Sequence, residues 1–437
     1  MLISEWKDRL CRGSYDEELK TLCGGDTARR RERYIALLDA FSGRFGDGDV
    51  LLISAPGRTE LGGNHTDHQN GIVLCAAVAM DTIAAVSPRG DGRIEIRSRG
   101  FGDIALETDR LDPVPEERGT AGGIVRGVAA GFARRGYAVG GFSACMDSDV
   151  PAGGGLSSSA AFEILIATVF SALYNGGEPD ALTRAVIGQG AERDYFGKPS
   201  GLMDQASSAC GRITKIDFAD PSRPLVERLS FDFREAGYVL CAVDTRTSHA
   251  DLTADYASIP EEMRAVAAFF GGSVLRDIDP SVFRSEKDRK ALSAAVSPRA
   301  ILRAEHFFDE NERAGRMAEA LSRGDMDAYL REMNASGASS REKLQNVIPS
   351  LHPEETSMAV ALDRAEALLR GKGAWRIHGG GFAGCIQCLV PEADYGAFRA
   401  AMDGYYGEGA CFELRVRPCG PHILGTDFAK GDLKHVQ

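Results

Sequence analysis

No run of this chain is apolar for long enough to cross a bilayer. The oiliest, ILIATVFSALY from Ile164, is about half of the roughly 20 residues that a span needs. The N-terminus, MLISEWKDRL, is charged from its fifth residue and lacks the apolar core of a secretory leader. Basic stripes are missing too: 63 acidic residues outnumber 51 basic ones, and the net charge of −12 spreads along the chain. A polyanionic backbone would find little to bind. These absences argue against a membrane span and a nucleic-acid partner, and leave the expectation of a soluble, cytoplasmic protein; a monomer is expected separately.

Disulfide spacing is also lacking. Ten cysteines are scattered, several in apolar runs such as Cys75 in IVLCAAV and Cys241 in YVLCAVD, which suits buried thiols in a reducing compartment. Cys385 and Cys388 make a C-x-x-C pair, but no second pair stands at ligand spacing and the neighbours read as a strand. Core cysteines are therefore expected rather than a zinc or redox site. Internal repeats and low-complexity linkers are absent. A chain of 437 residues exceeds what one hydrophobic core usually serves, so two domains are expected, 1–220 and 221–437, with a soft boundary.

What is present alternates between β-rich and helical patterns. Residues 28–42 place Tyr34, Leu37, Leu38 and Phe41 on one helical face. DVLLISA, GIVLCAAVAMD, TIAAVSP and RIEIRS then read as strands punctuated by Gly, Pro and Asp. A helix is expected over 119–135, a strand at GFSACMDSDV, a helix after PAGGGLSSS and another over 180–195. RITKIDF and GYVLCAVD read as strands, residues 255–371 as mainly helical, and the end as strand, helix, strand. That order suggests a sheet with helices on one side.

Three glycine-rich motifs carry the chemistry. In VPAGGGLSSSAAFEI, Gly153, Gly154 and Gly155 let backbone approach a ligand closely, while Leu156, Ser157, Ser158 and Ser159 lead into a long helix. Unpaired N–H groups, the positive end of the helix dipole and hydroxyls together make an anion site; the plainer alternative is a serine N-cap after a glycine turn. The lysine of a Walker A loop is missing. HGGGFAG satisfies G-x-G-x-x-G through Gly379, Gly381 and Gly384, but a strand comes after it, not a helix, which argues for a glycine hairpin or a loop pressed on another loop.

APGRTELGGNHTDHQNG, residues 55–71, reads as a long connection inside a sheet. It gathers Arg58, Glu60, His65, Asp67 and His68, an array of donors and acceptors suited to a polyhydroxylated ligand. A metal site is the weaker reading, because His65, Asp67 and His68 lack helical i, i+4 spacing. Asp204 falls among Leu202, Met203 and Ala206; it either caps a helix starting at Gln205 or needs a charged partner.

Taken together and in this order, the three motifs resemble the signatures of the GHMP small-molecule kinases, and the first resembles that of the galactokinase family. The resemblance covers about residues 50–425. It implies a mixed α/β fold, with an N-terminal domain like the second domain of ribosomal protein S5 and a ferredoxin-like C-terminal domain. ATP would lie between them with its phosphates on the 153–159 loop. The resemblance further implies Arg58 and Asp204 as the catalytic pair and Ser159 and Glu192 as magnesium ligands. His65, Asp67, Gly201 and Tyr256 would contact the sugar, with Glu60 and Asn64 beside them.

Four positions depart from the family pattern. Asn64 stands where the family has Glu, Glu60 where it has Asn, His68 where it has Tyr, and Gly337 where an N-x-S-H segment has its histidine. The implied activity is an ATP- and Mg2+-dependent sugar 1-kinase, with galactose as the expected substrate. A 1-kinase for N-acetylgalactosamine, arabinose or galacturonate and a non-catalytic sugar sensor are the alternatives. The Glu60 and Asn64 exchange places recognition at C6 in question.

Overall fold

The computed structural model describes residues 1–99, 102–151, 155–247 and 252–427. Among them, the strands are β1 (Leu51–Gly62), β2 (Ile72–Arg89), β3 (Arg93–Ser98), β4 (Ile104–Glu107), β5 (Gly141–Ser148), β6 (Ile213–Asp217), β7 (Leu225–Leu229), β8 (Tyr238–Asp244), β9 (Ala374–Ile377), β10 (Cys385–Pro391), β11 (Cys411–Glu413) and β12 (His422–Ile423). They form two sheets. The first runs β12-β1-β2-β5-β3-β4, with β6 added to β2 and β7 to β6; the second runs β11-β8-β10-β9. The first sheet therefore holds the chain as far as Leu229 and takes it back at His422. β3 and β5 pair in parallel, and the second sheet is antiparallel throughout.

Each face of the first sheet is covered. Helices Ala121–Arg134, Ser158–Tyr174, Ala181–Gly190 and Met203–Cys210 bury Phe132, Ile164 and Phe170 against Ile53, Ala84 and Phe142. On the other face the N-terminal helices Ile3–Cys11, Asp16–Cys23 and Thr27–Phe45 pack Trp6, Leu38 and Phe41 against Leu52, Ile83 and Ala85. The helical face expected from Tyr34, Leu37, Leu38 and Phe41 is buried as one stripe.

In the second sheet the continuous apolar run of β8 is buried on both sides, as such runs require. Cys241 and Val243 face helices Ser357–Leu369 and Glu392–Tyr406, while Leu240 and Ala242 face Met317, Leu321 and Tyr329. The C-x-x-C reading is settled by the same alternation. Cys385 and Cys388, three apart on β10, fall on opposite faces in different clusters and cannot share a ligand. All ten cysteines are free thiols.

The structure departs from the sequence expectation of helices on one side of the latter sheet, which it covers with helices on both faces, and it changes several local readings. GIVLCAAVAMD and TIAAVSP are one 18-residue strand, not two. Arg58 to Gly62 lie on β1, so within the first motif the connection is confined to residues 63–71. Asp204 sits in the first turn of Met203–Cys210, preceded by Leu202 as the cap residue, and so does not cap that helix.

Candidate active site

A cavity of about 610 Å³ opens where the ends of these elements meet, lined by all three glycine motifs and by residues 198–201, 203 and 204. Arg58 and Asp204, 146 positions apart, form a two-pronged pair in it. Nε donates to Oδ1 and Nη2 to Oδ2, each at 2.7 Å. Arg58 also ties its strand to the second motif, since Nη1 donates to the Gly155 carbonyl and its backbone N–H to Leu156. Burial would push the Asp204 carboxyl up, but the Arg58 charge and hydrogen bonds hold it down at about 2. The carboxylate is ionised and still 21% exposed toward the cavity.

Gly153 and Gly154, expected to hold a phosphate, lie outside the described residues. Beyond them, Gly155 and Ser157 both take left-handed backbone, at φ +70° and +56°. Ser157 occupies the cap position of Ser158–Tyr174 without capping it, because its hydroxyl donates to Asp204 instead. The plain N-cap reading thus fails. The helix end keeps its N–H groups for a ligand and points its positive dipole into the cavity.

Behind the loop, Ser159 Oγ donates to Glu192 Oε1 at 3.1 Å. Glu192 is delivered by a π-helical turn, Ala191–Phe196, whose carbonyl at Glu192 accepts from both Gly197 and Lys198. Lys198 Nζ reaches Glu192 Oε1 at 2.9 Å, and Gln205 bridges Glu192 to the buried Glu163. Burial pushes the Glu163 carboxyl well above its ordinary range, with the Glu192 charge adding to it. One carboxylate plus one hydroxyl suits Mg2+, which takes few protein ligands and completes its shell with water and phosphate. No cluster of three or more His, Cys, Asp or Glu able to cage an ion occurs among the described residues.

The opposite wall is built to accept hydrogen bonds. His65 Nε2 lies 3.0 Å from the Gly380 carbonyl, which can only accept, so the ring proton is on Nε2 and Nδ1 is left as a buried acceptor with no partner. Burial, then the neighbouring His68, lower its pKa to about 3, so the ring is neutral. Asp67 stands beside it. Tyr256 closes the wall, donating its hydroxyl to Gly381 at 2.7 Å and packing edge-on against Phe382. Gly201 makes room: a methyl there would overlap the Asp67 carboxylate. On the expectation that Asp67 contacts a sugar, Gly201→Ala should raise the KM for that sugar by roughly 10–100-fold, the worth of a hydrogen bond to a charged group. The KM for the expected ATP should stay unchanged in the same steady-state assay.

Glu60 and Asn64 line the cavity but face inward. Arg376 Nη2 pairs with Glu60, and Asn64 Nδ2 donates to Glu60 Oε1 at 3.1 Å and to the Gly379 carbonyl at 2.6 Å. Asn64 Oδ1 accepts from Asn346 at 2.9 Å and Ser340 at 3.3 Å. No polar capacity is left on Asn64, which is fully buried. Gly337 lies against β9, where a Cβ would stand 2.7 Å from the Trp375 carbonyl, so nothing larger fits. Sequence reasoning missed Lys198, Arg376 and His378. Their only signal is adjacency: Lys198 lies between Glu192 and Asp204, and the other two immediately precede the third glycine run.

Comparison with known proteins bears on fold and family. The galactokinase galactose-binding signature matches residues 39–88, and the GHMP kinases N-terminal domain matches residues 123–212. Among solved structures, the chain is similar to Lactococcus lactis galactokinase complexed with galactose, at 25% identity over 88% of this chain and 98% of that one, with a TM-score of 0.75. Two others share the fold. Methanococcus jannaschii mevalonate kinase is 17% identical over 84% of this chain and 99% of that one, at a TM-score of 0.59. Streptococcus pneumoniae phosphomevalonate kinase, in complex with phosphomevalonate and AMPPNP, is 12% identical over 85% and 99%, at 0.55. A cavity lined by hydrogen-bond acceptors and by an open helix N-terminus, on this fold, defines a GHMP-type phosphotransferase. Within that class the chain carries the galactokinase galactose-binding signature and is similar in fold to a galactokinase.

Proposed function

We propose that this protein transfers the γ-phosphoryl group of ATP to the anomeric hydroxyl of galactose, giving α-galactose 1-phosphate and ADP. The Arg58–Asp204 pair, placed between the uncapped helix end and the His65–Asp67 wall, carries the reading. Phosphoryl transfer needs positioning and charge stabilisation more than covalent chemistry. The N–H groups of the 155–159 segment would hold the phosphates, and Ser159 and Glu192 would hold Mg2+, which supplies positive charge to the transferring group. Asp204, ionised by Arg58, orients the sugar hydroxyl and accepts its proton as the O–P bond forms. His65 Nδ1 and Asp67 accept from sugar hydroxyls, with Gly201 and Tyr256 shaping the same wall.

No helix among the described residues is long and apolar enough to cross a membrane. We place the protein in the cytoplasm as a monomer, with a small sugar as its partner. Purified protein with Mg-ATP and a panel of galactose, N-acetylgalactosamine, arabinose and galacturonate tests the proposal. Galactose should give the highest kcat/KM for ADP release, and no ADP with any of the four would sink the reading. A non-catalytic sensor is disfavoured because Arg58, Ser159, Glu192 and Asp204 are all present and in contact as pairs.

A further inference from the structure

His378 ends the chain's approach to the third glycine motif and is enclosed, at 2% exposure, yet it lines the same cavity as Arg58 and Ser157. Its ring is oriented by a relay across three strands. Gln387 Nε2, on β10, donates to Thr59 Oγ1 at 2.6 Å, and His378 Nε2 lies 2.8 Å from the same oxygen; since Gln387 Nε2 can only donate, that ring nitrogen is the acceptor at hand for the proton of the buried Thr59 hydroxyl on β1. The imidazole proton is thereby placed on Nδ1. That Nδ1–H is buried and has no partner in the protein. It lies 2.7 Å from where a Cβ on Gly155 would stand, so the glycine at φ +70° lets the phosphate loop ride directly on the ring edge. Burial, reinforced by the charges of Arg58 and Arg376, lowers the His378 pKa well below the ordinary value. The ring is a neutral donor in a dry site, and a donor left unpaired there is unfavourable unless a ligand completes it.

We propose that His378 is a nucleotide-binding residue of this kinase, its Nδ1–H donating to a phosphate oxygen of the bound triphosphate while Thr59 and Gln387 hold the tautomer. The inference rests on the phosphoryl-transfer reading above. Its test needs no sugar. His378→Gln keeps an acceptor for the Thr59 hydroxyl where Nε2 stood and removes the Nδ1 donor; His378→Asn restores an N–H near the Nδ1 position. Binding of AMPPNP with Mg2+ and of adenosine is measured by calorimetry on each variant, with thermal unfolding as the check on folding.

His378→Gln should weaken AMPPNP binding by about tenfold or more, as loss of a bond to a charged group does, and leave adenosine binding within about twofold. His378→Asn should recover part of the AMPPNP loss. Equal AMPPNP binding by wild type and His378→Gln, a parallel loss of adenosine, or no recovery in His378→Asn would overturn the proposal alone. A wild-type protein that binds neither probe overturns the kinase reading along with it.

Discussion

Asp204→Asn is expected to lower kcat by roughly 10²–10⁴-fold, the range that a positioned proton acceptor contributes. The substitution is nearly isosteric, so the KM for sugar and the affinity for AMPPNP should move only a few-fold. The local cost is specific. Both Asp204 oxygens accept from the Arg58 fork, and Oδ2 also accepts from Ser157; an amide nitrogen would set donor against donor on one prong. A coupled assay for ADP and calorimetry with AMPPNP separate these outcomes, and a kcat within tenfold of wild type would remove Asp204 from the chemistry. The pH dependence has a definite sign. The folded Asp204 pKa, about 2, lies below the ordinary 3.8, so its ionisation favours the fold above that value and the benefit is lost as pH falls through about 2. Asp204 therefore sets no acid limb near neutrality in the wild type. Arg58→Ala removes the charge that opposes burial, so that variant should show kcat/KM falling on the acid side at a higher pH than wild type.

Much of the site was legible because its chemistry is written as local clusters. Arg58, His65 and Asp67 share one motif, and the serine run sits at a helix start, the kind of place where a phosphate site is expected. The wall they form depends on contacts that sequence spacing does not encode. Ser157, read from sequence as part of an anion site with an N-cap as the plainer alternative, is a partner of Asp204; Lys198 became visible only once a π-helical turn had folded Glu192 back toward it. The strand pattern failed at one residue for a related reason. Asp81 in AMDT reads as turn punctuation, yet it lies inside β2, where Arg30 and Arg33 of the N-terminal helix and Arg417 all reach its carboxylate. Burial would raise its pKa, but those three guanidiniums hold it far below the usual carboxylate range. A strand can carry a buried aspartate when distant segments neutralise it, and the distant segments here are 48 and 336 residues away. Short β4, β7 and β12 escaped notice because two to five residues, partly exposed, give no period to read.

The Glu60 and Asn64 exchange is where the structure most changes what should be tested. From sequence, Asn64→Glu is the substitution to re-rank sugars that differ at C6. The geometry predicts a stability defect instead. Asn64 donates into the Glu60 carboxylate and the Gly379 carbonyl and accepts from Asn346 and Ser340, joining the first motif, the third motif and residues 340–346. A glutamate there has no proton to give. It would bury a second carboxylate against Glu60, leaving Arg376 to serve two charges. Uncompensated buried charge costs roughly 3–5 kcal/mol, so thermal unfolding of Asn64→Glu should shift sharply downward and activity should fall alike on every sugar. The double variant Glu60→Asn, Asn64→Glu returns one carboxylate to the reach of Arg376 and should recover more stability than the single changes sum to, a coupling that a double-mutant cycle reads directly. A single variant as stable as wild type, or one that reorders kcat/KM among sugars, would return Asn64 to the substrate-facing role that its motif position implies.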